Sequence, residues 1–168
     1  LKPWCVVQGG AERQYSIANG MAHLAADADI VLVHDAARPL VSLAAIEAVI
    51  FAAREKGAAI AAVRAKNTIK VVGEDGRVEA TPSRASLWEV QTPQGFRREI
   101  LERAYEKAAQ DGFLGTDDAS LVERIGEAVF VVESDYGNLK ITTPEDLWMA
   151  EALLAHPAGI ADEMKVTI

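Results

Sequence analysis

The chain has 168 residues, half of them hydrophobic, and a formal net charge of −8 from 17 basic and 25 acidic side chains. That length buries one sizeable core and suits a single domain, while the acidic balance argues against a nucleic-acid-binding face. One cysteine, Cys5, excludes an internal disulfide framework and a cysteine zinc site, and the three histidines show no metal-ligand spacing.

In chain order, Trp4 to Val7 reads as a short apolar strand ending at Gly9 and Gly10, and 13–26 has helical composition. Ile30 to His34 is the next strand. Ser42 to Lys56 follows as a helix, with Ser42 as its N-cap and Gly57 just past its end. Its apolar run is broken by Glu47 and closed by Arg54, Glu55 and Lys56, so it is too short to span a bilayer. Ala58 to Val63 continues a β/α alternation that implies a mostly parallel sheet flanked by helices. The pattern changes at Thr68: two polar strands, 68–72 and 77–81, flank the Gly73 to Gly76 turn, which predicts a projecting β-hairpin.

Leu87 to Gln91 is a further strand, with Thr92, Pro93 and Gln94 read as a turn just past it. A helix spans 97–110, with Ile100, Leu101, Ala104 and Ala108 on its apolar face. Thr116 or Asp117 caps a helix running through Glu123, and capping is the favoured role of Asp117 and Asp118 over metal binding. Ala128 to Val132 is predicted as a buried strand and Leu139 to Thr142 as another. Thr143, Pro144, Glu145 and Asp146 form a strong helix start, with the helix running to about Leu154. Domain organisation is read as one unit over 1–155, with a hairpin arm at about 66–86 and a tail at 156–168.

Two segments concentrate the chemistry: 31–39, carrying Asp35 and Arg38, and 137–146, carrying Lys140. Charged residues at strand ends are where an open α/β sheet builds a ligand site. From these residues alone, a surface ion pair between Asp35 and Arg38 with a solvated Lys140 is an equal alternative. Thr92 is placed to donate its hydroxyl to a phosphate or hydroxyl, and Gly9 and Gly10 let backbone N–H groups approach a ligand. No nucleophile elbow is present, and Cys5 lies in an apolar segment where a thiol is inert. Fixed positive charge, hydroxyls and one carboxylate suit phosphate binding and transfer.

Taken together, the segments 7–16, 34–39, 67–70, 84–88, 92–94, 116–120 and 139–146 resemble the 2-C-methyl-D-erythritol 4-phosphate cytidylyltransferase family over residues 5–155. The resemblance implies a nucleotide-diphospho-sugar-transferase-like α/β fold and a cytoplasmic homodimer joined through the hairpin arm. It implies transfer of a cytidylyl group from CTP to a polyol phosphate with release of pyrophosphate and a divalent cation, Mg²⁺, as cofactor. Neither a nucleic-acid nor a membrane partner is expected.

By the same resemblance, Gly10, Ala11, Ser16 and Ala36 contact the nucleotide, and Asp35 lies beside ribose, magnesium and acceptor. Arg38, Thr68, Thr92, Thr116 and Lys140 match acceptor-binding positions, and Arg84 matches an arginine that reaches the acceptor phosphate of the partner subunit. Catalysis would rest on Lys140, Asp35 and Arg84. Ala11 stands where the family often has aspartate. The family's opening strand and its Gly-rich, basic nucleotide loop have no counterpart in 1–7, so a chain of only these residues is expected to bind acceptor weakly and turn over little. Ribitol 5-phosphate cytidylyltransferase, and a truncated non-catalytic dimerisation or regulatory relative, are the alternatives.

Overall fold

The computed structural model describes residues 4–156. In chain order the elements are α1 (Arg13–Met21), β1 (Ile30–Val33), α2 (Leu43–Lys56), β2 (Ala58–Arg64), β3 (Val71–Val72), β4 (Val78–Ala80), a 3₁₀ turn (Arg84–Ser86), β5 (Trp88–Arg97), α3 (Arg98–Asp111), α4 (Asp118–Arg124), β6 (Phe130–Glu133) and α5 (Pro144–Ala155). The main sheet has the order β1-β5-β2-β6. Strands β1, β2 and β6 run one way, and β5 runs against them between β1 and β2. The α/β class stands, with most strands sharing a direction.

Local chemistry explains the elements that form. Ser42 caps α2 by accepting from the Ala45 N–H, and Gly57 ends it at φ 95°, a conformation that favours glycine. Helix α5 starts on a capping box between Thr143 and Asp146 with Pro144 in its first turn. The core lies where the apolar faces of α3 and α4 meet the sheet, with Phe96, Leu101, Leu121 and Val122 fully buried. Gly95 lets β5 and α2 touch: a Cβ there would sit 2.7 Å from Val49 Cγ1 and 2.9 Å from Leu32 Cδ2.

Several expectations need correction. Residues 4–10 form no strand. No ladder partner lies beside them among the described residues, and Trp4 and Val6 stay 80% and 88% exposed. The first helix ends at Met21 rather than Ala26, because the chain turns through 22–28 to enter β1. The strand at 128–132 is in fact β6, shifted to Phe130–Glu133 and largely exposed as a sheet edge. Residues 139–142 form no strand; the Ile141 N–H to Ala37 O bond, 2.8 Å, ties them to the loop after β1.

The segment 92–94 is not a turn but the middle of β5, a ten-residue strand that carries Pro93 on a cis peptide. The proline suggested a strand end, yet the ladder accommodates it at the irregularity between Ile60 and Ala62 of β2. The hairpin forms as predicted but is shorter, with only β3 and β4 paired. Residues 157–168 of the predicted tail lie outside the described residues.

Candidate active site

The loop leaving the C-terminal end of β1, the first half of β5, the start of α4 and the segment carrying Lys140 open onto one cleft of about 350 Å³. Its lining includes Arg13, Asp35, Arg38, Thr92, Thr116 and Lys140. The position follows from the topology: loops leaving the carboxyl ends of co-directional strands converge at one edge of an open sheet. Because β5 runs in reverse, its first residues Val90, Gln91 and Thr92 extend past β1 into the same edge.

Asp35 organises the cleft. Its Oδ2 meets Lys140 Nζ at 2.9 Å and its Oδ1 meets Arg13 Nε at 3.3 Å. Burial pushes the Asp35 carboxyl up, but the Lys140 hydrogen bond and the Arg13 charge outweigh it and hold the group below its usual value. Arg13 in turn donates through Nη1 to Asp118 at 2.8 Å, and the Tyr105 hydroxyl donates to the other oxygen of Asp118. Asp118 is 1% exposed, so Arg13 links a buried acid to a cleft acid. Burial lowers the Arg13 guanidinium, yet Asp118 and then Asp35 raise it above the ordinary value.

Arg38 does not pair with Asp35. The turn from Asp35 to Arg38, closed by the Arg38 N–H to Asp35 O bond at 2.9 Å, points the side chain to Asn138, whose carbonyl accepts from Nη1 at 2.7 Å. Burial lowers the Arg38 guanidinium, opposed by Asp35, and its Nε is buried without a partner. An under-solvated guanidinium at a cleft wall favours an anionic ligand, because an incoming phosphate or carboxylate restores its hydrogen bonds.

Asn138 is fully buried and ties the loops together. Its amide donates to Gln91 Oε1 and Thr92 O, each at 2.9 Å. Gln94, also buried, donates to Asp117 Oδ2 at 2.8 Å and accepts from the Ala119 N–H, which fixes the start of α4 against β5. Asp117 caps α4 in a capping box with Ser120, as the sequence predicted, whereas Asp118 is a buried ion-pair partner rather than a cap.

The structure brings Asp35, Arg38, Thr92, Thr116 and Lys140 into one cleft and leaves the other expected positions outside its lining. Gly10 donates its N–H to Ser16 Oγ at 3.0 Å, which joins the start of α1 to the loop before it. A Cβ on Gly10 would fall 2.3 Å from Tyr15 Cβ, so that loop needs glycine. Ala11 and Ala36 are exposed. Thr68 and Arg84 sit at the base of the hairpin arm, where Arg84 donates to Lys66 O at 2.8 Å.

The pairings of Arg13, His34, Gln94, Tyr105 and Asn138 are not read from the sequence, and Asp118 is read there only as a cap. Arg13 lay within the glycine-pair segment, but its partner is 105 positions away. Among the described residues no cluster of three or more acidic, histidine or cysteine side chains forms a metal site. Two carboxylates line the cleft, but Asp117 already accepts from Gln94 and the Ser120 N–H, so Asp35 is the one that fits a Mg²⁺ taking its remaining ligands from phosphate oxygens and water.

Fold and cleft define an α/β protein with a cationic, hydroxyl-bearing cleft at its strand ends, chemistry that suits a phosphate-bearing ligand. The family model for 2-C-methyl-D-erythritol 4-phosphate cytidylyltransferase matches residues 2–156, and the chain belongs to that family. The enzyme of that name from Bacillus pumilus is 54% identical over 158 residues, covering 94% of this chain and 68% of its own length. A crystal structure of 4-diphosphocytidyl-2C-methyl-D-erythritol synthase from Anaerococcus prevotii superposes with a TM-score of 0.82 at 37% identity, over 88% of this chain and 68% of that one. The cytidylyltransferase from Thermus thermophilus gives 0.81 at 38%, over 89% and 72%. The chain thus spans about two thirds of the length of the curated relatives it matches.

Proposed function

We propose that the polypeptide carrying these residues transfers the cytidylyl group of CTP to 2-C-methyl-D-erythritol 4-phosphate and releases pyrophosphate. The observation that carries this reading is the Asp35 carboxylate held between Lys140 and Arg13, with Arg38 beside it under-solvated, in a chain of this family. An oxygen of the acceptor phosphate attacks the α-phosphorus of CTP, and the bond from that phosphorus to the bridging oxygen of pyrophosphate breaks. The attacking phosphate is ionised at neutral pH, so no general base is required. Lys140 and Arg38 position and neutralise the acceptor phosphate. Asp35 keeps Lys140 aimed into the cleft until a ligand phosphate competes for it. Asp35 would hold a Mg²⁺, which would neutralise charge on the triphosphate.

Gly10, Ala11, Ser16 and Ala36 form the nucleotide side, with Thr68 and Thr116 on the acceptor side. Arg84 acts across a homodimer joined through the hairpin arm, in the cytoplasm. Pyrophosphate release by the complete polypeptide, measured with CTP and either methylerythritol phosphate or ribitol 5-phosphate, tests the reading. Preference for methylerythritol phosphate is expected; preference for ribitol 5-phosphate, or no release with either, overturns it. An Arg84→Ala chain should raise the acceptor KM and leave the CTP KM unchanged, and mixing it with an Asp35→Asn chain should restore some activity. Equal loss for both substrates, without restoration, removes Arg84 from the partner's site.

A further inference from the structure

His34, the residue before Asp35, has no part in the reaction described above, yet it closes a chain of hydrogen bonds around Thr92. Its Nε2 lies 3.1 Å from Arg38 O, and its Nδ1 lies 3.0 Å from Thr92 Oγ1. Thr92 Oγ1 also accepts from the Asp35 N–H at 3.0 Å. A carbonyl oxygen only accepts, so Nε2 carries a proton, and in the tautomer that this contact selects Nδ1 is an acceptor. The Thr92 hydroxyl proton therefore points to Nδ1. One oxygen lone pair takes the Asp35 N–H, and the other is left for the cleft that Thr92 lines.

We propose that His34 is a positioning residue that turns the Thr92 hydroxyl into a fixed hydrogen-bond acceptor, so that Thr92 meets a hydroxyl of the polyol acceptor rather than its phosphate. An ionised phosphate has no proton to offer, and facing the Thr92 lone pair it would meet repulsion; a polyol hydroxyl donates there without disturbing the chain. This reverses the expectation that Thr92 donates to the ligand, and it rests on the proposed acceptor class. The same ring ties the turn that carries Arg38, whose guanidinium is left for the anionic end. His34 thus sorts the two ends of a polyol phosphate: Thr92 takes the hydroxyl end and Arg38 the phosphate.

Two measurements test it on the complete polypeptide. Long-range ¹H–¹⁵N NMR of the His34 ring, which needs no turnover, should show Nε2 protonated and Nδ1 unprotonated; the opposite tautomer overturns the proposal. Steady-state kinetics then separates the two ends of the ring. His34→Asn keeps an oxygen near the Nδ1 position and should hold the acceptor KM within about threefold. His34→Gln, which reaches Arg38 O but no longer takes the Thr92 proton, should raise it about tenfold at unchanged CTP KM, the size of one lost hydrogen bond.

Thr92→Val should raise the acceptor KM and leave the inhibition constant of inorganic phosphate, competing with the acceptor, where it was. A matching rise in that constant places phosphate at Thr92 and overturns the proposal. A uniform fall in kcat across all variants with both KM values fixed marks a purely structural histidine and also overturns it. Absence of turnover in the unmodified protein refutes the assigned reaction instead, and the NMR result still decides the role of His34.

Discussion

Replacing Tyr105 by phenylalanine removes the hydroxyl that donates to Asp118, the most buried acid among the described residues. Asp118 is 1% exposed and has two side-chain partners, Arg13 at 2.8 Å and the Tyr105 hydroxyl. A hydrogen bond to a charged group contributes about 1.5–3 kcal/mol. The phenyl ring stays in place and no cavity opens, and Arg13 still neutralises the carboxylate, so the expected loss is about 2 kcal/mol. Urea unfolding at pH 7 should show a lower midpoint at unchanged slope, and thermal unfolding a fall of about 4–8 °C.

The pH dependence gives the sharper signature. Burial first, and Asp118 second, raise the Tyr105 phenol far above its ordinary value. The native state therefore keeps the proton while the unfolded chain releases it above about pH 10. The stability held by this group is complete below that pH and drains as pH rises, at about 1.4 kcal/mol per unit. The gap between wild type and Tyr105→Phe should shrink by about 1.4 kcal/mol between pH 9 and pH 11. A gap under about 0.5 kcal/mol at pH 7, or one that stays flat to pH 11, refutes the reasoning.

Lys140→Ala should lower kcat/KM by about 2–4 kcal/mol, or roughly 30- to 1,000-fold, by comparison with a lost transition-state donor; unchanged activity removes Lys140 from the site. Lys140→Met should raise the Asp35 carboxyl, since burial then acts against Arg13 alone, and carboxyl ¹³C titration reads the change directly. In the wild type, the stability contributed by Asp35 is present above the usual carboxylate value near about 3.9 and lost as pH falls through its depressed native value. Gly95→Ala should cost about 1–3 kcal/mol by forcing a methyl against Val49 and Leu32, measured by urea unfolding.

Elements announced by their own neighbours were legible in the sequence. Ser42 and Gly57 bracket α2, and Thr143 with Asp146 opens α5, because caps act within three or four residues. Elements that depend on distant partners were not. Pro93 looked like a strand end, but β2 and β1 hold β5 in the sheet from both sides. The segment at 139–142 has strand composition but gains only one backbone bond, to Ala37. Charge at expected strand ends singled out Asp35, Arg38 and Lys140, and the resemblance gave them roles, whereas Asn138, 100 positions from Arg38, and Tyr105 show no local sign of their work.

Strand β5 leaves the base of the hairpin at Trp88, passes the cleft at Thr92 and Gln94, and ends at Arg97 against the C-terminus of α2. It is clamped on both sides over its second half, but its first residues pair only with β2. The arm and the cleft floor are thus one continuous strand, and the Asn138 amide fastens that strand to the loop before Lys140 through Gln91 and Thr92. Substitutions at the arm's base should therefore alter turnover more than stability.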